Sequence, residues 1–224
     1  MKKFRVIITG STGMVGEGVL HECLQHPDVE VVHVLNRRLG GVLHPKLIEL
    51  THETLEDWNL FASELIGYDA CFFCLGVSSV GKTEEEYTKI TYDYTIHVAE
   101  VLARLNPDMV FCYVSGSGTD SSGKGRSMWA RVKGRTENKL MSMPFKRAYM
   151  FRPGYLHPTK GLKRTHRYYN YISWLYPVLK LIVPKRINSL RELGLAMIHV
   201  VQRGYSRSII EAKDIHELAK SANL

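Results

Sequence analysis

Phe4-Arg5-Val6-Ile7-Ile8-Thr9-Gly10-Ser11-Thr12-Gly13-Met14-Val15-Gly16 is the stretch that decides the fold. Its first half is apolar and β-branched and runs straight into glycines, as a buried strand does at a tight turn. From Met14 to Gln25 the residues Val15, Val19, Leu20, Cys23 and Leu24 recur at helical spacing, and Pro27-Asp28 ends the run. A strand, a glycine-rich turn and a helix in direct succession predict a dinucleotide-binding unit. The glycines permit the turn and let the backbone approach a pyrophosphate, while the new helix aims free N–H groups and its positive dipole end at the phosphates. The spacing is Gly-x-x-Gly-x-x-Gly, not the Gly-x-Gly-x-x-Gly of many NAD dehydrogenases. Gly10, Ser11, Thr12, Gly13, Met14, Val15 and Gly16 are the predicted phosphate-binding residues. The plainer alternative is a turn of the same composition that binds nothing.

Working outward, apolar strands alternate with helices. Glu30–Leu35, Lys46–Leu50, Asp69–Leu75, Met109–Val114 and Arg147–Phe151 read as further strands, and Thr83–Leu105 and Trp129–Met141 as helices. This alternation predicts an α/β fold: a Rossmann-like, doubly wound parallel sheet covered on both faces, with a small C-terminal substrate-covering region. Residues 1–224 read as one domain without a linker. The segment 155–190 breaks the rhythm, being dense in basic and aromatic residues such as Lys160, Arg167, Tyr169 and Trp174. Ligands in an open α/β sheet bind beyond the carboxyl ends of the strands, so an insertion after the sixth strand is placed to act as a substrate lid.

About twenty residues past the glycine turn, at the end of the second strand, an NAD enzyme carries a carboxylate for the ribose 2′-hydroxyl. This chain has Asn36-Arg37-Arg38 there. No carboxylate at these positions repels a 2′-phosphate, and two guanidiniums are available to pair with one, which predicts NADP(H) over NAD(H).

The 224 residues are 45% hydrophobic and 23% charged, too apolar for a disordered chain. No apolar run approaches the roughly 20 residues of a membrane-spanning helix, and the opening reads as a strand instead of a secretory signal. Four cysteines make no disulfide framework; reduced thiols and a cytoplasmic location are the expectation. Cys71 and Cys74, three apart in a strand, point to opposite faces, and the ten histidines show no His-Glu-x-x-His spacing, so no metal is predicted. Charge is unevenly spread. Through Cys112 there are 9 Lys and Arg against 16 Asp and Glu; from Tyr113 onward the counts are 21 and 6. A basic half calls for an anionic partner: a small anionic substrate first, a peripheral acidic membrane contact second, nucleic acid last. Oligomeric state is left open.

Thr9-Gly10-Ser11-Thr12-Gly13-Met14-Val15-Gly16, Cys74-Leu75-Gly76, Val114-Ser115-Gly116-Ser117, Lys133 and Phe151-Arg152-Pro153-Gly154 occur in that order. With these motifs the chain resembles the short-chain dehydrogenase/reductase superfamily in its NAD-dependent epimerase/dehydratase-like branch, and within it the small Tat-interacting-protein-like oxidoreductases. The resemblance implies a Ser/Tyr/Lys set, in which Tyr moves the proton, Lys lowers its pKa and binds the nicotinamide ribose, and Ser orients the substrate oxygen. It points to Ser115, Ser117 and Lys133 as catalytic candidates. It adds Leu75, Gly76, Val77, Lys133, Pro153 and Gly154 to the cofactor-binding residues. Trp129 stands at the Tyr position, one helical turn before Lys133. An indole donates a hydrogen bond but does not ionise near neutral pH, so a surviving reaction needs Ser117, Tyr155 or a water as proton relay. Two functions follow as expectations: an NADP(H)-dependent oxidoreductase or epimerase-like enzyme acting on a small carbonyl or hydroxyl substrate, or a non-catalytic NADP(H)-binding regulatory protein.

Overall fold

The computed structural model describes residues 2–53, 56–159, 161–162 and 187–222. Seven parallel strands form the main sheet: β1 (Phe4–Thr9), β2 (Val29–Asn36), β3 (Leu47–Thr51), β4 (Ala70–Phe73), β5 (Val110–Val114), β6 (Arg147–Arg152) and β9 (Ile209–Glu211). Their order is β3-β2-β1-β4-β5-β6-β9. The direction of winding reverses between β1 and β4, and in such sheets a crevice opens at that point beyond the strands' carboxyl ends. A separate parallel pair joins β7 (Tyr155–His157) to β8 (Ile187–Ser189).

Alternation along each strand sorts the core into two layers. Val6, Ile8, Phe72 and Cys112 face α1 (Met14–Gln25), α5 (Leu190–Arg203) and α6 (Ala212–Ser221). Ile7, Cys71, Phe73 and Phe111 face the 3-10 turn Trp58–Leu65 and the helices α3 (Tyr94–Leu105) and α4 (Met128–Met141). This is a Rossmann-like α/β fold with both sheet faces covered.

The structure departs from the sequence expectations in three places. The fourth strand spans only Ala70–Phe73, because Cys74-Leu75-Gly76 leaves the ladder to cross over Gly10. The single helix expected over Thr83–Leu105 is divided into α2 (Glu84–Thr88), a π turn (Lys89–Asp93) and α3. Buried positions recur at Tyr87, Thr91 and Thr95, every four residues, and the wider π turn keeps that row against the core. The C-terminal β9 completes the sheet and α5 and α6 complete its cover; none of these three is among the elements expected from the sequence, and β8 falls at the end of the expected lid. Of the predicted lid, most lies outside the described residues; its two ends are the paired strands β7 and β8.

Candidate active site

Thr9 ends β1, and Gly10 follows with φ +69°, a left-handed conformation that glycine adopts without strain. A Cβ on Gly10 would lie 2.7 Å from Leu75 Cα, so the loops after β1 and β4 meet here backbone to backbone. The Gly13 N–H donates to the Gly10 carbonyl at 2.9 Å and closes the turn. Gly16, inside α1, stacks directly on that turn: its Cβ would lie 2.1 Å from the Gly10 oxygen. Gly13 caps α1 with no side-chain hydrogen bond, so the first-turn N–H groups remain directed outward beside Thr12, Met14 and Val15. A phosphate fits such an end, since glycine leaves room for it and the helix dipole attracts it.

Asn36 closes β2 and is buried; Arg37 and Arg38 beyond it are exposed. The Ser11 hydroxyl donates to Asn36 Oδ1 at 2.9 Å, and Asn36 Nδ2 donates to Glu49 Oε1 at 2.7 Å. Glu49 Oε1 also accepts the Gly40 N–H at 2.7 Å. Asn36 thus spaces the glycine turn from β3, and Glu49 folds the loop of the two arginines back onto the sheet. Positions 36–38 hold no carboxylate, yet the fold brings one beside them from β3. Sequence reasoning missed it because β3 is remote along the chain; the sole signal was an acidic residue in a short strand.

The loops after β5 and β6 meet on the other side of the crevice. Ser115 N–H donates to Phe151 O at 2.9 Å and Ser117 N–H to Pro153 O at 2.8 Å, while Gly154 N–H reaches Asn188 Oδ1 at 3.4 Å. Gly76 and Gly116 face open space, Val77 is exposed, and Ser117 is exposed.

The two serines have different surroundings. The Ser115 hydroxyl is buried and donates to Glu137 Oε1 at 2.5 Å, with Phe151 O 3.1 Å away. It is turned beneath the loop toward α4, which differs from the substrate-orienting place expected for it; Ser117 is the serine open to the crevice. Lys133, one turn before Glu137 on α4, donates from Nζ to Ser115 O at 2.6 Å and lies 5.8 Å from the Tyr113 ring centroid. Burial pushes its ammonium down to about 8, and the Glu137 carboxylate opposes that fall. Tyr113 offers no replacement acid: burial pushes its phenol well above the ordinary range. Trp129 is half-buried against the loop after β5, where a Cβ on Gly118 would lie 3.6 Å from its ring.

Cys71 belongs to the α3 side of the core, whereas Cys74, Cys23 and Cys112 pack on the α1 side. All four are free thiols, and burial pushes each up, Cys74 to about 12, so none is poised as a nucleophile.

A mitochondrial protein from Aspergillus terreus, fmp52-1, is 29% identical over 71% of this chain and 69% of its own length. The rat protein HTATIP2 is 28% identical over 70% of this chain and 64% of its own. A short chain dehydrogenase from Burkholderia cenocepacia, solved in complex with NADP, superposes with a TM-score of 0.67 at 12% identity, covering 99% of this chain and 93% of that one, and so shares the fold. The expectation of a cytoplasmic protein is overturned by the relatives: counterparts from Aspergillus oryzae, Emericella nidulans and Scheffersomyces stipitis are also named as mitochondrial. Reduced, unpaired cysteines do not distinguish the cytosol from an organelle, and the reading from them went too far. Residues 6–128, more than half of the chain, match the family model described as NAD dependent epimerase/dehydratase. The chain belongs to the NAD dependent epimerase/dehydratase family, on a Rossmann-like fold that it shares with a short chain dehydrogenase.

Proposed function

We propose that this protein is an NADP(H)-dependent oxidoreductase or epimerase-like enzyme acting on a small, anionic carbonyl or hydroxyl substrate, in a mitochondrial setting as its relatives' names suggest. The observation that carries the reading is the uncapped α1 N-terminus over the Gly10–Gly16 turn, at the reversal point of the sheet. In this reading the Gly10–Gly16 backbone holds the pyrophosphate. Leu75, Gly76 and Val77 border the adenosine-to-nicotinamide path, with Pro153 and Gly154 beside the ring. Lys133 donates to the nicotinamide ribose. Bound there, the cofactor supplies or accepts a hydride. Ser117 orients the substrate oxygen, and Ser117, Tyr155 or a water moves the proton that Trp129 cannot.

The preference for NADP(H) rests on Arg37 and Arg38 against a single carboxylate. Glu49 already accepts two hydrogen bonds through Oε1, which leaves the two exposed guanidiniums as the stronger influence on a 2′-phosphate. Replacing both arginines with alanine should weaken NADPH binding by about 1–3 kcal/mol and leave NADH binding unchanged, read by calorimetric titration. Equal losses for both cofactors would refute the assignment.

Lys133 adds a pH dependence. A donor whose ammonium titrates near 8 is cationic below that pH and neutral above it. NADP(H) affinity should therefore hold through neutrality and fall as pH rises past about 8, measured by fluorescence titration.

Trp129 favours a second reading, a non-catalytic NADP(H)-binding protein that signals through a partner. A turnover screen with small carbonyl substrates separates the two. If the wild type binds NADP(H) without turnover, Trp129→Tyr should gain weak reductase activity, because Lys133 is already one turn away.

A further inference from the structure

Beneath the crevice lies a group that neither the glycine turn nor the Ser/Lys pattern uses. Glu137 is fully buried on α4. It accepts the Ser115 hydroxyl at 2.5 Å and Arg152 Nε at 3.0 Å through Oε1, and Arg152 Nη2 through Oε2. Arg152, at the end of β6, is itself nearly buried, and its remaining donors reach Ser121 Oγ at 2.6 Å and Glu211 at 3.3 Å. One carboxylate thus ties together β5, β6, the loop after β5 and α4, one helical turn from Lys133.

We propose that Glu137 is a positioning residue, which holds the end of β5 under the Lys133 ammonium and keeps that ammonium charged where it meets the cofactor. The inference rests on the reading of Lys133 as a ribose ligand. Its geometric basis is that the Lys133 Nζ acceptors, Ser115 O at 2.6 Å and Val114 O at 3.4 Å, belong to the residue whose side chain Glu137 grips and to its neighbour. Its electrostatic basis is that a half-buried ammonium loses its proton easily unless an opposite charge is near, and Glu137 supplies that charge. The other groups that face this niche are occupied or neutral. Tyr113 of β5 is an un-ionised phenol, Arg131 and Arg135 of α4 bond Glu84 of α2, Tyr87 of α2 is a buried phenol, and Arg152 of β6 is bound to Glu137 itself.

The test is a titration of the Lys133 ε-ammonium by NMR, without cofactor, in wild type and in Glu137→Gln, paired with NADPH affinity across pH in the same proteins. Lys133 should titrate about one pH unit lower in Glu137→Gln, and the alkaline limb of NADPH binding should move by the same amount. Glu137→Asp, which keeps the charge, should restore most of both. Should the single variant fold poorly because Arg152 is left unpaired, Glu137→Gln/Arg152→Met carries the same prediction. An unmoved Lys133 titration in a folded variant overturns the proposal, as does a moved titration with an unmoved binding limb. A wild type that binds no NADPH at any pH, with the Lys133 titration still shifted by Glu137→Gln, overturns instead the reading of the site on which the proposal rests.

Discussion

Arg152→Met should lower stability by about 3–5 kcal/mol, because it leaves a buried carboxylate without its partner. Glu137 is fully buried and Arg152 nearly so, and the pair is bidentate, with the guanidinium donating through Nε and Nη2. Methionine fills much of the volume but donates nothing. Glu137 then keeps the Ser115 hydroxyl as its hydrogen-bond donor and the Lys133 ammonium as an opposite charge, which together replace only part of a bidentate guanidinium. Ser121 and Glu211 lose a bond each, at the smaller cost usual for exposed groups. Urea unfolding monitored by circular dichroism measures the loss. The double variant Arg152→Met/Glu137→Leu should recover a large part of it, since removing both charges removes the orphan. A single variant within 1 kcal/mol or so of wild type would mean that water reaches the pair and that the network is not buried as described.

Gly134→Ala should cost about 3 kcal/mol, the upper end for overpacking, because the obstruction is backbone and cannot rotate aside. A Cβ on Gly134 would lie 1.7 Å from the Asp120 carbonyl oxygen and 2.5 Å from its carbon. The loop after β5 is folded tightly at that point. Asp120 N–H donates to Ala130 O, and the Asp120 carboxylate accepts from Ser122 and Gly125. Lifting the loop off α4 breaks the Asp120–Ala130 bond and withdraws Ser121 from Arg152, while the bonds inside the loop move with it. Thermal melting should show a drop of several degrees, with a larger loss in NADPH affinity than the same substitution at half-buried Gly123 would give. Gly123 has a positive φ but only the Arg135 stem near it, so its penalty is local.

The parts of the fold legible in the sequence were those written in local pattern. Phe4–Gly16 declares strand, turn and helix within thirteen residues of one another, and Val110–Val114 before Ser115-Gly116 does nearly the same. Ile209–Glu211 escaped because a three-residue strand has no periodicity to detect, although the capping box Ser189-x-x-Glu192 ahead of Leu193, Ala196 and Met197 marked the start of α5. The π turn was hidden for a related reason: it widens the spacing of the buried row to Tyr87, Thr91 and Thr95 within an otherwise helical composition. At the site, the glycines and the pair Arg37-Arg38 could be read directly. Glu49 and Glu137 could not, because their partners lie 13, 15 and 22 residues away and meet only when strands pair. Ser115 and Ser117 looked equivalent in sequence, and two residues of loop separate a hydroxyl bonded to Glu137 from one open to the crevice.

We propose that the carboxyl edge of this sheet holds a 2′-phosphorylated nicotinamide dinucleotide. Calorimetric titration of the intact protein with NADPH and with NADH at pH 7 tests it most directly. One cofactor should bind per chain, NADPH more tightly than NADH, with the difference abolished by Arg37→Ala/Arg38→Ala. No heat with either cofactor, or NADH bound as tightly as NADPH, would contradict it.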